Sequence, residues 1–289
     1  MTDSQTNTLS DGRRLGYAEY GDTGGSPVFY FHGFPGSRIE GRPLSDTANA
    51  RNVRLIAVDR PGMGLSDYQP KRRIVDWPRD VSELADQLGV DRFVVVGPSG
   101  GGPYAAVCAR VLPDRVTSAV LLAGSGPLRA PNAMKGMSAQ NRALFSIERW
   151  APPLGDLVMW ALSRTAGDRD RLMSQIIRSS SPADMRILAE RPEVVEALYD
   201  SFVEAFKQGS RGARRELRLY GRPWGFRLDK ITVPVALWQG DKDANVPPAM
   251  ARYMAGKIPD SYVTFLPDDG HIGCIANHLD EVFDAVLSA

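Results

Sequence analysis

Short apolar runs alternate with segments of helical periodicity along most of the chain. Tyr17–Tyr20, Val28–Phe31, Val53–Val58 (VRLIAV), Phe93–Val96 and Val116–Ala123 (VTSAVLLA) predict strands. They are mainly apolar, Phe93–Val96 wholly so, as strands buried on both faces are. Between them, Val81, Leu84, Ala85 and Leu88 fall on one helical face closed by Gly89. Tyr104–Leu112 predicts a second helix, stopped by Pro113. The rhythm breaks near Gly126, and from there to about Leu228 the chain reads as helix, rich in Arg, Met and Trp. It resumes with a strand at Val233–Trp238, a helix from about Pro248 to Lys257 and a strand at Tyr262–Leu266. A final helix carries Ile275, Leu279, Val282, Phe283 and Val286 on one stripe. The pattern predicts an α/β fold: a mainly parallel, doubly wound sheet built from residues 1–126 and 229–289, with a helical insertion at 127–228 acting as a cap.

Composition narrows the class without changing the architecture. The chain has 289 residues, 43% hydrophobic and 24% charged, with a formal charge of +1. That balance fits a globular domain and gives no reason to expect nucleic acid as a partner. Residues 1–14 are polar and carry no signal-peptide core, and no apolar run reaches bilayer length. Cys108 and Cys274 have neither metal-ligand nor disulfide-framework spacing. The expectation is a cytoplasmic enzyme with no membrane span.

Chemistry concentrates in VVVGPSGGGPY, residues 94–104. A phosphate loop would need Lys-Ser or Lys-Thr after its second glycine, where this chain has Pro103-Tyr104. A dinucleotide fingerprint would need glycine where Ser99 stands. The remaining reading is G-x-S-x-G, from Gly97 to Gly101, between a strand and a helix. Such a turn forces its central residue into an unfavourable backbone region and exposes the hydroxyl above the sheet.

A serine hydroxyl needs a base, and the base an orienting acid. Of three histidines, His32 comes too early for the order Ser, acid, His. His278 falls inside the final helix, whereas His271 lies in the loop LPDDGHIG after a strand and is preferred. Asp241 and Asp243 both follow the strand ending at Trp238. Asp243 is favoured because Asp241, next to Gly240, suits a turn; Asp268 and Asp269 are the alternatives. An oxyanion would be held by the backbone N–H of Gly100 and of Phe34 in HGFPG, where Pro35 has none.

With these residues in hand, the chain resembles the α/β-hydrolase superfamily in its capped, single-domain serine hydrolase form. HGFPGS at 32, DRPGMGLS at 59, GPSGGG at 97, GDKDANVP at 240 and DDGH at 268 carry the likeness. The resemblance implies Ser99 as nucleophile, Asp243 as acid, His271 as base, and Phe34 and Gly100 as oxyanion donors. It makes Asp59 and Arg60 structural. Pro98 departs from the His, Asn or Trp frequent before the nucleophile. A serine nucleophile argues against halide removal and epoxide opening, for which relatives use aspartate.

The expected function is cleavage of a carboxylic ester or related acyl bond of a small molecule, with no cofactor or metal. The alternatives are cofactor-free oxygenation or perhydrolysis, carbon–carbon hydrolysis, and a ligand sensor with little turnover. Residues 127–227 hold 17 Lys or Arg against 11 Asp or Glu. Solvated helix faces account for this excess, including RGARRELR at 211–218. Trp150, Met159, Trp160 and Met173 are expected either to line an apolar pocket or to form the cap's own core. Cys274, three residues beyond His271, is expected to be a plain thiol.

Overall fold

In a computed structural model describing residues 2–287, each predicted apolar run is a strand of one eight-stranded sheet. The strands are β1 (Thr2–Thr8), β2 (Arg14–Gly21), β3 (Ser26–Phe31), β4 (Val53–Val58), β5 (Phe93–Pro98), β6 (Val116–Leu122), β7 (Val235–Gly240) and β8 (Ser261–Leu266). Their spatial order is β1-β2-β4-β3-β5-β6-β7-β8. β1 and β2 run antiparallel to their neighbours, and the remaining pairs are parallel. β1 was not expected. It is an edge strand of polar residues (TDSQTNT), so it shows none of the apolar patterning that marks the central strands.

Period-two alternation divides the sheet's side chains between two cores. Phe29, Phe31, Ile56, Val58 and Val95 enter one apolar cluster; Val28, Tyr30, Leu55, Val94 and Val96 enter the other. The first is covered by α2 (Trp77–Gln87), α3 (Gly102–Val111) and α10 (Pro248–Ala255), through Val81, Leu84, Val107 and Met254. The second is covered by the short α1 (Ser45–Ala50) and by α12 (Leu279–Leu287), through Ala48, Leu279, Val282 and Phe283. Burying each such aliphatic or aromatic side chain contributes about 1.5–3 kcal/mol. A charge placed at Val95 would therefore break the first core.

The final helix is two helices. α11 (His271–Asn277) stops before His278, and α12 begins at Leu279. The predicted stripe survives the break: Ile275 packs on the second cluster from α11, and Leu279, Val282 and Phe283 enter it from α12. The side chain of Val286 lies outside the described residues.

Between β6 and β7 come α4 (Ala139–Trp150), α5 (Pro152–Arg164), α6 (Arg169–Ser179), α7 (Pro182–Glu190), α8 (Pro192–Ala205) and α9 (Arg211–Tyr220). Five of these begin with proline or follow a Ser or Asp side-chain cap, which divides one long helical stretch into short pieces. Two expectations for this segment need correction. Trp150 is 78% and Trp160 53% exposed, so neither lines a pocket nor fills a core. The 211–218 stretch is amphipathic rather than solvated: Gly212, Ala213, Glu216 and Leu217 are buried, Arg214, Arg215 and Arg218 are half-buried, and Arg211 is exposed. Among the described residues no helix is long and apolar enough to cross a membrane.

Because β3, β5, β7 and β8 are parallel, the loops after Phe31, Pro98, Gly240 and Leu266 gather at one edge of the sheet. Phe34, Ser99, Gly100 and Asp243 lie directly after those strands, and His271, expected in a loop, is the first residue of α11 after β8.

Candidate active site

Ser99 directly follows β5 with φ +48°, left-handed backbone that costs a non-glycine residue about 1–2 kcal/mol. Two glycines make that conformation attainable. A Cβ on Gly97 would overlap the carbonyl oxygen of Gly101, and one on Gly101 would overlap that of Phe31. Strand and helix therefore pass closer than any side chain allows. The Ser99 carbonyl accepts from the N–H of Gly102 and, at 2.8 Å, from that of Ser125, which fixes the turn from the β6 side.

The structure brings Ser99, His271 and Asp243 into one line. His271 Nε2 lies 2.9 Å from Ser99 Oγ, and His271 Nδ1 lies 2.8 Å from Asp243 Oδ2. Asp243 is buried and its other oxygen accepts from the N–H groups of Asn245 and Val246, both at 2.8 Å. Gln239 Nε2 donates to Asp243 Oδ2 at 3.1 Å. With every acceptor position engaged, the carboxylate has one orientation. Nδ1 is then the protonated ring nitrogen, and Nε2 is left to accept from the hydroxyl. Burial by itself would lower the His271 pKa. The Asp243 charge and hydrogen bond outweigh it, with Asp184 and Glu40 adding, and hold the pKa above 6.5.

The other sequence candidates stand apart. Asp241 is exposed and 3.6 Å from Arg252. Asp268 pairs with Lys242 at 3.0 Å. Asp269 accepts from His278 Nε2 at 2.6 Å, and His278 Nδ1 reaches Glu281 at 3.1 Å. His32 is buried and structural: its Nε2 accepts from the Arg60 N–H at 3.1 Å and its Nδ1 meets the Gly33 carbonyl at 2.8 Å. Burial and the neighbouring Arg60 push its pKa well down, so it is neutral. Cys274 is buried in the second apolar cluster, and burial pushes its thiol pKa up.

Phe34 and Gly100 abut. A Cβ built on Gly100 would stand 2.7 Å from Phe34 Cβ and 3.1 Å from Phe34 N. Their loop is held by Arg60, expected to be structural, and through it by residues that sequence reading missed. Arg60 donates to the carbonyls of His32 and Gly33 and, at 2.9 Å, to Glu216 of α9. Glu216 also takes Arg72 and, at 2.5 Å, the Tyr104 hydroxyl. Burial opposes ionisation of Glu216, but the two arginines overcome it and hold its pKa at about 2. Glu40 accepts the Gly33 N–H at 2.9 Å and the Tyr30 hydroxyl at 3.0 Å, while burial raises its pKa. The only sequence hint was one acidic residue in RGARRELR. Asp59 is structural as expected, accepting from Arg38 Nη1 and the Leu65 N–H, both at 2.8 Å.

Above Ser99 is a cavity of about 500 Å³, lined on one side by Phe34, Gly100 and His271 and on the other by the helical segment. Leu144, Met159, Leu172, Ile176 and Phe202 give the helical segment's side of the cavity an apolar wall. Met159 is buried and belongs both to this wall and to a small core within the helical segment. Met173 is half-buried and does not face the cavity.

A parallel sheet, a strained serine after its fifth strand and a histidine after its last are the hallmarks of a hydrolase scaffold. The alpha/beta hydrolase fold profile matches residues 26–277, and the chain belongs to that family. A non-heme chloroperoxidase of Streptomyces lividans is 35% identical over 158 residues, covering 50% of this chain and 57% of that protein. This chain thus spans little more than half of that relative's length. A Bacillus subtilis (strain 168) protein, provisionally named 2-succinyl-6-hydroxy-2,4-cyclohexadiene-1-carboxylate synthase, is 34% identical over 91% of this chain and 90% of its own. The solved structure of an esterase from Exiguobacterium antarcticum superposes with a TM-score of 0.71 at 19% identity, covering 100% of this chain and 98% of that one.

Proposed function

We propose that the protein is a serine hydrolase that cleaves a carboxylic ester of a small, largely apolar molecule through an acyl-enzyme. The observation that carries this reading is the hydrogen-bonded line from Ser99 Oγ through His271 to Asp243, at 2.9 and 2.8 Å. Residues 127–228 form the cap over it in this reading. His271 Nε2 takes the Ser99 proton as Oγ attacks the ester carbonyl carbon, and the carbonyl electron pair moves onto oxygen. The N–H groups of Phe34 and Gly100 receive that oxyanion. On collapse the C–O bond to the alcohol breaks, His271 returns its proton to the departing alkoxide, and the acyl group stays on Ser99. Water, deprotonated by His271, repeats the sequence and frees the carboxylic acid. Asp243 stabilises the imidazolium at both stages.

The chloroperoxidase relative favours a second reading, in which hydrogen peroxide replaces water at the second step and releases a peracid. The test is a stopped-flow assay with p-nitrophenyl acetate, butyrate and octanoate, with and without peroxide. A stoichiometric burst followed by turnover, absent from Ser99→Ala, is expected; loss of the nucleophile should cut kcat by roughly 10⁴-fold or more. Activity of Ser99→Ala within tenfold of wild type would remove the assignment.

A further inference from the structure

Asp184 takes no part in the proposed chemistry, yet it is fully buried between the starts of two helices. In its own helix α7 it completes a capping box with Ser181: its N–H donates to Ser181 Oγ at 3.2 Å, and the Ser181 N–H and hydroxyl donate to Asp184 Oδ2 at 3.3 and 2.8 Å. The same carboxylate reaches across to α11. It accepts from the backbone N–H of His271 at 3.1 Å, of Ile272 at 2.7 Å and of Gly273 at 3.2 Å. α11 supplies no cap of its own, since Gly270 precedes it. A Cβ on Gly270 would overlap both the Asp184 and the Ser181 side chains, so the helical segment presses directly on the start of α11.

We propose that Asp184 is a positioning residue for His271, through which the helical segment joins Asp243 of the sheet domain in aiming the ring at Ser99. The inference rests on the reading of His271 as the base. A seven-residue helix cannot hold its own first turn in water, and its first four N–H groups need acceptors. One carboxylate takes three of them and receives the positive ends of two helix dipoles at once. His271 is the first residue of α11, so fixing its N–H fixes the Cα–Cβ direction and with it the approach of Nε2 to the hydroxyl. Displacing the first turn of α11 would lengthen the 2.9 Å contact and shift Ile272, while the wall supplied by Leu144, Met159, Leu172, Ile176 and Phe202 stays in place.

The test measures acylation by p-nitrophenyl butyrate as a function of pH for the full-length wild type, Asp184→Asn and Asp184→Glu, with folding checked by near-ultraviolet circular dichroism. Asp184→Asn presents an amide to N–H donors, so kcat should fall about 10- to 100-fold, the cost of a small misplacement. KM should change little. The charges facing His271 are Asp243 after β7, Asp184 in α7 and Glu40 ahead of α1. Losing one of them should move the acid limb of the profile to lower pH. Asp184→Glu keeps the charge and should keep the limb, with intermediate kcat. A folded Asp184→Asn with wild-type kcat and an unmoved limb would overturn the proposal. If that variant does not fold, wild-type kcat in Asp184→Glu would do so. A burst that persists in Ser99→Ala would instead overturn the reading beneath it.

Discussion

The hydroxyl of Tyr220 lies 2.9 Å from the carbonyl oxygen of Gly100 and 2.9 Å from Glu216 Oε2. A residue at the end of α9 thus fixes the glycine beside Ser99, which the proposed mechanism uses to hold an oxyanion. Tyr220→Phe removes this contact and little volume. It should lower stability by about 1–2 kcal/mol and kcat by about tenfold, with KM nearly constant. Urea melts and steady-state kinetics check both, and a wild-type kcat would detach Tyr220 from the oxyanion site.

Asp243→Asn and Asp241→Asn separate two acids that are two residues apart. Only Asp243 touches the His271 ring, so its amide variant should select the wrong tautomer and reduce kcat by about 10⁴-fold. Asp241 meets only a loose surface partner, Arg252, and its variant should remain close to wild type. The reverse ranking would reassign the acid.

The pH profile has a definite sign. In the proposed mechanism His271 acts as a base when neutral, and against its burial the Asp243 charge and hydrogen bond raise its pKa above the ordinary 6.5. Activity should be low in acid and rise with pH through a midpoint above 6.5. A kcat/KM profile whose acid limb falls below 6 would show that the Asp243 charge does not reach the ring as the geometry requires.

Glu216→Gln leaves Arg60 and Arg72 buried without their common counter-charge. It should destabilise the chain by roughly 3–5 kcal/mol. In the wild type the folded pKa of about 2 lies below the ordinary 4.5, so the stabilisation is complete above pH 4.5 and is lost as pH falls towards 2. The shift corresponds to roughly 3 kcal/mol. Denaturation midpoints across that range should fall in the wild type and change less in Glu216→Gln.

The sheet was legible because a strand buried on both faces must be apolar throughout, as Val94–Val96 and Leu55–Val58 are. β1 was invisible for the converse reason: an edge strand needs backbone partners and no apolar face. Ser99 could be read from its glycines, since close passage of strand and helix has a local signature. Glu216, Tyr220 and Asp184 could not. Each is ordinary within its own helix, and Asp184 even completes a recognisable Ser-x-x-Asp box. Their partners lie between 87 and 156 residues away, a distance no local pattern encodes.

Gly62, in the turn after β4, meets Gly212 of α9 backbone to backbone: a Cβ on Gly212 would overlap the Gly62 carbonyl oxygen. No side chain lies between them to flex or change rotamer. Together with the Glu216 ion pairs this makes α9 an anchored post. α5 packs on α4 and α9, and α6 packs on α4, so these helices are held chiefly by one another. In the proposed reading, where this segment covers the site, α4 and α5 already pack on this post, so a movement that admits substrate is expected to leave α9, and the Gly100 contact it carries, in place.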